Sequence, residues 1–223
     1  MTTKRYGIAA RLYQRGLALL ACASVSLMSQ AVAAAPARTV LAFGDSLTAG
    51  YQLRPGEGFA PQLEAALKAR GRAVTVHNAG VSGDTSAQGR ARLNWVLAGL
   101  KRKPDLAIVE LGANDMLRGQ SPAAARANID SIVAELQKRR IPVLLAGMLA
   151  SPNLGAAYAR DFNAVFPAVA KARGVPLYPF FMDGVVTVPG LQLADGVHPN
   201  AKGVAVIVRR IVPLVERELD RRR

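Results

Sequence analysis

Leu41-Ala42-Phe43-Gly44-Asp45-Ser46-Leu47-Thr48 is the stretch that decides the fold. The apolar run from Thr39 to Phe43 reads as a buried strand. Gly44 and Asp45 punctuate its end, and a serine follows at once. In an open α/β sheet, ligands bind outside the carboxyl ends of the strands. Ser46 therefore stands on a rigid element facing a crevice, where a nucleophile would be placed. The plain alternative is a turn serine capping a helix or loop.

Working outward, strands and helices alternate. The pattern predicts further strands over 73–76, 105–110, 142–147 and 175–177. It predicts helices over 61–70, 87–100, 121–140, 156–173 and 201–220. Gly71 and Gly174 stop two of them, and Ser121-Pro122 opens a third as cap and first turn. Long loops cover 44–57, 78–85, 111–120 and 178–200. Such alternation argues for an α/β fold, a parallel sheet with helices on both faces.

The 223 residues suit one domain plus a targeting segment, and 51% hydrophobic residues suffice for a core. Lys4, Arg5, Arg11 and Arg15 form a basic n-region ahead of an apolar stretch over 16–28. That stretch is too short to span a membrane. Ala31-Val32-Ala33 fits a small-residue cleavage site. Residues 1–33 are therefore expected to be a secretory signal peptide and 34–223 a single domain. The mature protein would be periplasmic or secreted. The one cysteine, Cys22, falls in the leader, and Leu20-Ala21-Cys22 fits a lipoprotein site poorly. A mature chain without cysteine has no disulfide, thiol nucleophile or cysteine metal site.

Removing the four basic leader residues from a formal +14 leaves +10. A basic surface could attract nucleic acid or anionic lipid. Much of the charge is terminal, at Arg209, Arg210, Arg217, Arg221, Arg222 and Arg223. No aromatic residues interleave with that cluster as stacking platforms would. It reads as a solvated helix face and tail, not a nucleic-acid site, and leaves room for weak contact with an anionic membrane surface.

The unusual polar residues fall in the loops: Ser46, Gly83-Asp84, Asn114-Asp115 and Asp195 with His198. In a parallel sheet, loops after strands share one edge, so four separated segments converge on one crevice. A serine is a weak nucleophile until a base takes its proton. Of the two histidines, His198 follows Asp195 by three residues in a turn-prone segment. That spacing lets the carboxylate hold one ring nitrogen while the other faces the serine. Turn or cap roles are the alternative for both. His77, at an expected strand end, reads as structural or surface. Acyl transfer also needs donors for an oxyanion. Ser46 N–H, Gly83 N–H and the Asn114 amide could supply them, Gly83 because no side chain stands in the way. Two lone histidines make no metal cluster. No phosphate-cradling glycine loop precedes a helix.

Four ordered blocks carry a resemblance. They are Phe43-Gly44-Asp45-Ser46-Leu47, Asn78-Ala79-Gly80-Val81-Ser82-Gly83-Asp84-Thr85, Glu110-Leu111-Gly112-Ala113-Asn114-Asp115 and Asp195-Gly196-Val197-His198-Pro199. Together they resemble the SGNH, or GDSL, hydrolases across essentially the whole mature chain. Ser82–Ser86, Leu117-Arg118-Gly119 and Pro179-Phe180-Phe181-Met182 look closest to the bacterial periplasmic thioesterase/lysophospholipase/arylesterase subgroup. The resemblance implies a flavodoxin-like three-layer α/β/α sandwich with a central parallel sheet. It implies Ser46 as nucleophile, His198 as base and Asp195 as its orienting partner. It implies Ser46 N–H, Gly83 N–H and Asn114 as the oxyanion hole, and no cofactor. The chain departs from the pattern at Ala113, where close relatives often have Gly. The Ser151–Gly155 loop also lacks an aromatic that relatives often carry.

The expected activity is hydrolysis of small-molecule acyl esters and thioesters through an acyl-enzyme on Ser46, by a monomer. A carbohydrate acetylesterase is the alternative within the family. A non-catalytic basic binding module rests on charge alone and leaves the four crevice loops unexplained.

Overall fold

The computed structural model describes residues 37–221. The leader, its cleavage site, Cys22 and the last two arginines lie outside them.

Strand β1 (Arg38–Gly44) is central, and Val40 to Phe43 are fully buried as their apolar run requires. It pairs in parallel with β2 (Val74–Gly80) on one side and β3 (Leu106–Glu110) on the other. Parallel β4 (Val143–Ala146) and β5 (Leu177–Tyr178) complete the order β2-β1-β3-β4-β5. The chain leaves β1 in one direction and then crosses back past it to β3. This reversal makes the carboxyl ends of β1 and β3 a topological switch point, where α/β sheets open a crevice.

Helices cover both faces. Helix α1 (Ser46–Ala49) is a single turn after β1, and α2 (Phe59–Ala69) leads to β2. Helix α3 (Ser86–Gly99) leads to β3, α4 (Ala113–Leu117) follows it, and α5 (Pro122–Lys138) leads to β4. Helices α6 (Ala156–Asn163) and α7 (Val165–Arg173) lead to β5, and α8 (Ala201–Asp220) ends the fold. Helices α2 and α8 pack together, while α3 packs on α5 and α5 on α7. The three-layer α/β/α sandwich is as expected.

Helix α8 matches its predicted span. The Asn200 side chain caps it by accepting the N–H groups of Lys202 and Gly203. Val204, Ile207, Val208, Ile211, Val215 and Leu219 recur at helical spacing and are buried against the core. Gly203 permits the contact, because a Cβ there would lie 2.2 Å from Leu191 O.

Three expectations need correction. The helix predicted over 156–173 is two helices that meet at Ala164. Pro167 has no N–H to give to the carbonyl four residues back, so the helix breaks there. The loops over 44–57 and 111–120 contain the short helices α1 and α4, too short for periodicity to show. Strand β2 runs on through Gly80, which puts His77 inside the strand, exposed, and not at its end.

Candidate active site

Ser46 is the first residue of α1, immediately beyond β1. Asp45 caps that turn, its Oδ1 accepting Leu47 N–H at 3.0 Å. Ser46 is thus held by strand and cap together. Its Oγ lies 2.9 Å from His198 Nε2.

His198 arrives from the loop before α8. Leu193 N–H bonds His198 O at 2.8 Å and Gln192 Nε2 bonds Gly196 O at 2.7 Å, which folds the loop back on itself. Gly196 at φ +67° supplies a left-handed turn that other residues avoid. Within it, Asp195 Oδ1 accepts the N–H groups of Val197 and His198 at 2.9 and 3.0 Å. Its Oδ2 lies 2.7 Å from His198 Nδ1. Desolvation raises the Asp195 carboxyl, but these N–H donors and the imidazole outweigh it and hold it down at about 2. The Tyr51 ring leans on the imidazole, with centroids 4.5 Å apart.

The three expected oxyanion donors are Ser46 N–H, Gly83 N–H and the Asn114 amide. Ser46 N–H opens α1, and among the described residues nothing accepts from it or from Gly83 N–H. The expected reason for Gly83 needs correction. A Cβ would meet only Arg118 Nη2, at 3.7 Å; glycine is required by φ +86°. Asn114, on α4, is the third. Its Nδ2 donates to Asp84 O at 3.0 Å and to Asp45 Oδ2 at 3.2 Å. Any further acceptor at Nδ2 must share or displace one of these contacts.

Beside Ser46, Asn114 and His198 opens a cavity of about 420 Å³. Leu47, Met116, Met148, Leu149, Phe180 and Val197 give it an apolar wall. Gly83 and Asp195 stand outside that wall. Ala113, Ser151 and Pro152 line it, so both departures from the family pattern lie at the cavity. A second cavity, about 600 Å³ between Arg140, Pro176 and Arg221, lies near the starts of β4 and β5, away from Ser46.

Sequence reasoning missed the scaffold behind these groups. Arg92 donates to Asp84 Oδ2 at 2.5 Å, Ala79 O at 2.9 Å and Gly44 O at 2.8 Å, and lies over the Phe43 ring. One guanidinium thus ties together the ends of β1 and β2 and the Asp84 loop. Asp115, buried, accepts from Ser86 N–H and Oγ–H at 2.7 and 2.5 Å, joining α4 to α3. Glu110 accepts the Thr48 hydroxyl at 2.8 Å. Asp84, Asp115 and Glu110 sit inside the quoted blocks, which was a signal. Arg92 reads in sequence as an ordinary helix cation.

A family model described as GDSL-like Lipase/Acylhydrolase matches residues 42–206. The chain belongs to this family. Esterase TesA of Pseudomonas aeruginosa is 38% identical over 91% of this chain and 98% of its own length. Thioesterase 1/protease 1/lysophospholipase L1 of Escherichia coli is 35% identical over 83% of this chain and 88% of its own. Among solved structures, the SGNH-hydrolase family esterase AlinE4 superposes with a TM-score of 0.71 at 49% identity. It covers 82% of this chain and 97% of its own. With this membership, the chain is a serine ester hydrolase.

Proposed function

We propose that Ser46 is the nucleophile, His198 the base and Asp195 the residue that orients it, in a hydrolase of carboxylic esters and thioesters. The run Ser46 Oγ–His198 Nε2 at 2.9 Å and His198 Nδ1–Asp195 Oδ2 at 2.7 Å carries the reading. Ser46 Oγ attacks the acyl carbonyl as His198 Nε2 takes its proton. The carbonyl oxygen gains the charge and meets Ser46 N–H, Gly83 N–H and Asn114. As the tetrahedral intermediate collapses, the bond to the leaving alkoxide or thiolate breaks and His198 protonates it. Water, deprotonated by His198, then attacks the acyl-enzyme. The acid leaves and Ser46 regains its proton.

The apolar cavity favours acyl chains beyond acetyl, as in aryl esters, lysophospholipids and acyl thioesters, over acetylated sugars. The relatives named esterase and thioesterase/lysophospholipase support the same substrate classes. We further propose that residues 1–33 are a cleaved export signal and that the mature domain, 34–223, works outside the cytoplasm as a monomer. The basic n-region and the Ala31-Val32-Ala33 motif support export. The mature charge supports weak contact with anionic membrane surfaces.

Hydrolysis of a p-nitrophenyl ester series by the mature domain tests the activity. Turnover that extends to medium chains is expected. A folded protein inert on every ester, yet active on sugar acetates, would overturn the substrate class.

A further inference from the structure

Two carboxyl groups lie beneath Ser46, and the reaction just described uses neither. Asp45 is fully buried and Glu110 is 1% exposed. The register pairs Gly44 with Glu110, which brings the glutamate beside the Gly44–Ser46 turn. Gly44 makes the room: a Cβ there would lie 2.7 Å from Glu110 Oε2 and 2.1 Å from Thr48 Oγ1. The two carboxyls face each other. The nearby guanidinium, Arg92, is taken up by Asp84 and two carbonyls. From the other packed elements, His198 and Asp84 are the titratable groups facing Asp45.

Two carboxylates with no cation bonded to them among the described residues, in so dry a site, do not both ionise near neutral pH, because desolvation and mutual repulsion each favour a proton on one. The donors decide which. Asp45 Oδ1 accepts from Leu47 N–H and Oδ2 from Asn114. Glu110 Oε2 accepts from Thr48, and Asp45 N–H also acts on this carboxyl. Among the described residues, no donor bonds Glu110 Oε1. An unmatched oxygen is tolerated far better as part of a neutral acid than of a carboxylate.

We propose that Glu110 is a neutral carboxylic acid in the working enzyme, leaving one negative charge on Asp45 that positions the Asn114 amide for the oxyanion. The proposal rests on the reading of Ser46 as nucleophile. A charged Asp45 can only accept, so together with Asp84 O it fixes which way the Asn114 amide is turned. A protonated Asp45 could donate instead, which leaves Asp84 O as the one group that only accepts from the amide and loosens its orientation. Burial, then the charge of Asp45, pushes Glu110 well above the carboxylate range. Burial also raises Asp45, to about 6, so near pH 7 Asp45 is the ionised member.

Infrared spectroscopy of the folded protein at about pH 7 reads the proton directly. Wild type is expected to show the C=O stretch of a buried carboxylic acid. Glu110→Gln removes it and Ser46→Ala keeps it. Thr48→Val, which deletes the hydroxyl bonded to Glu110, shifts the band to higher frequency without removing it. Asp45→Asn keeps the helix cap, since Asn caps as well as Asp. It is nonetheless expected to lower kcat at least about tenfold with KM within about threefold, because the charge is gone. Absence of the band in wild type, its survival in Glu110→Gln, a band unmoved in Thr48→Val, or wild-type kcat in Asp45→Asn would each overturn the proposal. The spectroscopic arm stands apart from the nucleophile reading, since Ser46→Ala can be assayed beside it.

Discussion

Asp195 grips His198 at two points, with Oδ2 2.7 Å from the ring Nδ1 and Oδ1 accepting the backbone N–H of the same residue at 3.0 Å. The second contact holds the loop; the first sets the tautomer. Asp195→Asn preserves an acceptor for the backbone and replaces the ring's acceptor with an ambiguous amide. We expect kcat to fall by about 10²–10⁴, with little change in melting temperature. Unfolding curves and ester turnover check both halves. The low carboxyl, at about 2, adds stability that is present above about pH 4 and lost as pH falls through about 2.

Gly80, at the end of β2, touches the backbone of α1. A Cβ there would lie 2.3 Å from Ala49 N and 2.8 Å from Asp45 O. Backbone cannot step aside as a side chain can. Gly80→Ala is expected to destabilise by at least about 3 kcal/mol and to reduce turnover through Ser46. Denaturant titration measures the first effect; an unchanged midpoint would contradict it.

Arg92 makes three separate bonds from one planar fork. Lysine carries the charge without that geometry. Arg92→Lys is expected to cost about 2–4 kcal/mol and to lower kcat, because Asp84, Gly44 and Ala79 lose their common anchor. Thermal unfolding of Arg92→Lys beside wild type tests this, and equal stability would sink it.

The buried acid beneath Ser46 also shapes stability against pH. Asp45 titrates at about 6 in the folded protein, above its ordinary range near 4. The native state therefore holds an extra proton between those values, and this contribution favours folding below about pH 4. It is lost as pH rises to about 6. Asp45→Asn lacks that loss. Its unfolding free energy should gain on wild type by up to about 3 kcal/mol between about pH 4 and pH 6. Melting temperatures of the two proteins across that range give the comparison; parallel curves would contradict it.

Much of this fold was legible in the sequence because its signals are local. Helix α8 spans its expected 201–220, where Asn200 caps it and an apolar stripe runs its length. Strand β1 announced itself by an unbroken apolar run. The site's convergence followed from topology, as loops after parallel strands share an edge. What escaped was short or distant. Helices α1 and α4 have four and five residues, less than periodicity needs. The break at Ala164 rests on one residue, Pro167, inside an otherwise helical run. Arg92 reaches Gly44 across 48 positions, and Thr48 reaches Glu110 across 62. No spacing rule pairs such residues; the packing of helices on the sheet does.

The central claim is that Ser46 carries the acyl group. The most direct measurement is mass spectrometry of the mature protein treated with a fluorophosphonate, a reagent that phosphonylates activated serines, followed by peptide mapping. The account predicts one adduct, on the peptide containing Ser46, abolished in Ser46→Ala and strongly slowed in His198→Ala. An adduct on another residue, or equal labelling of Ser46→Ala, would contradict it.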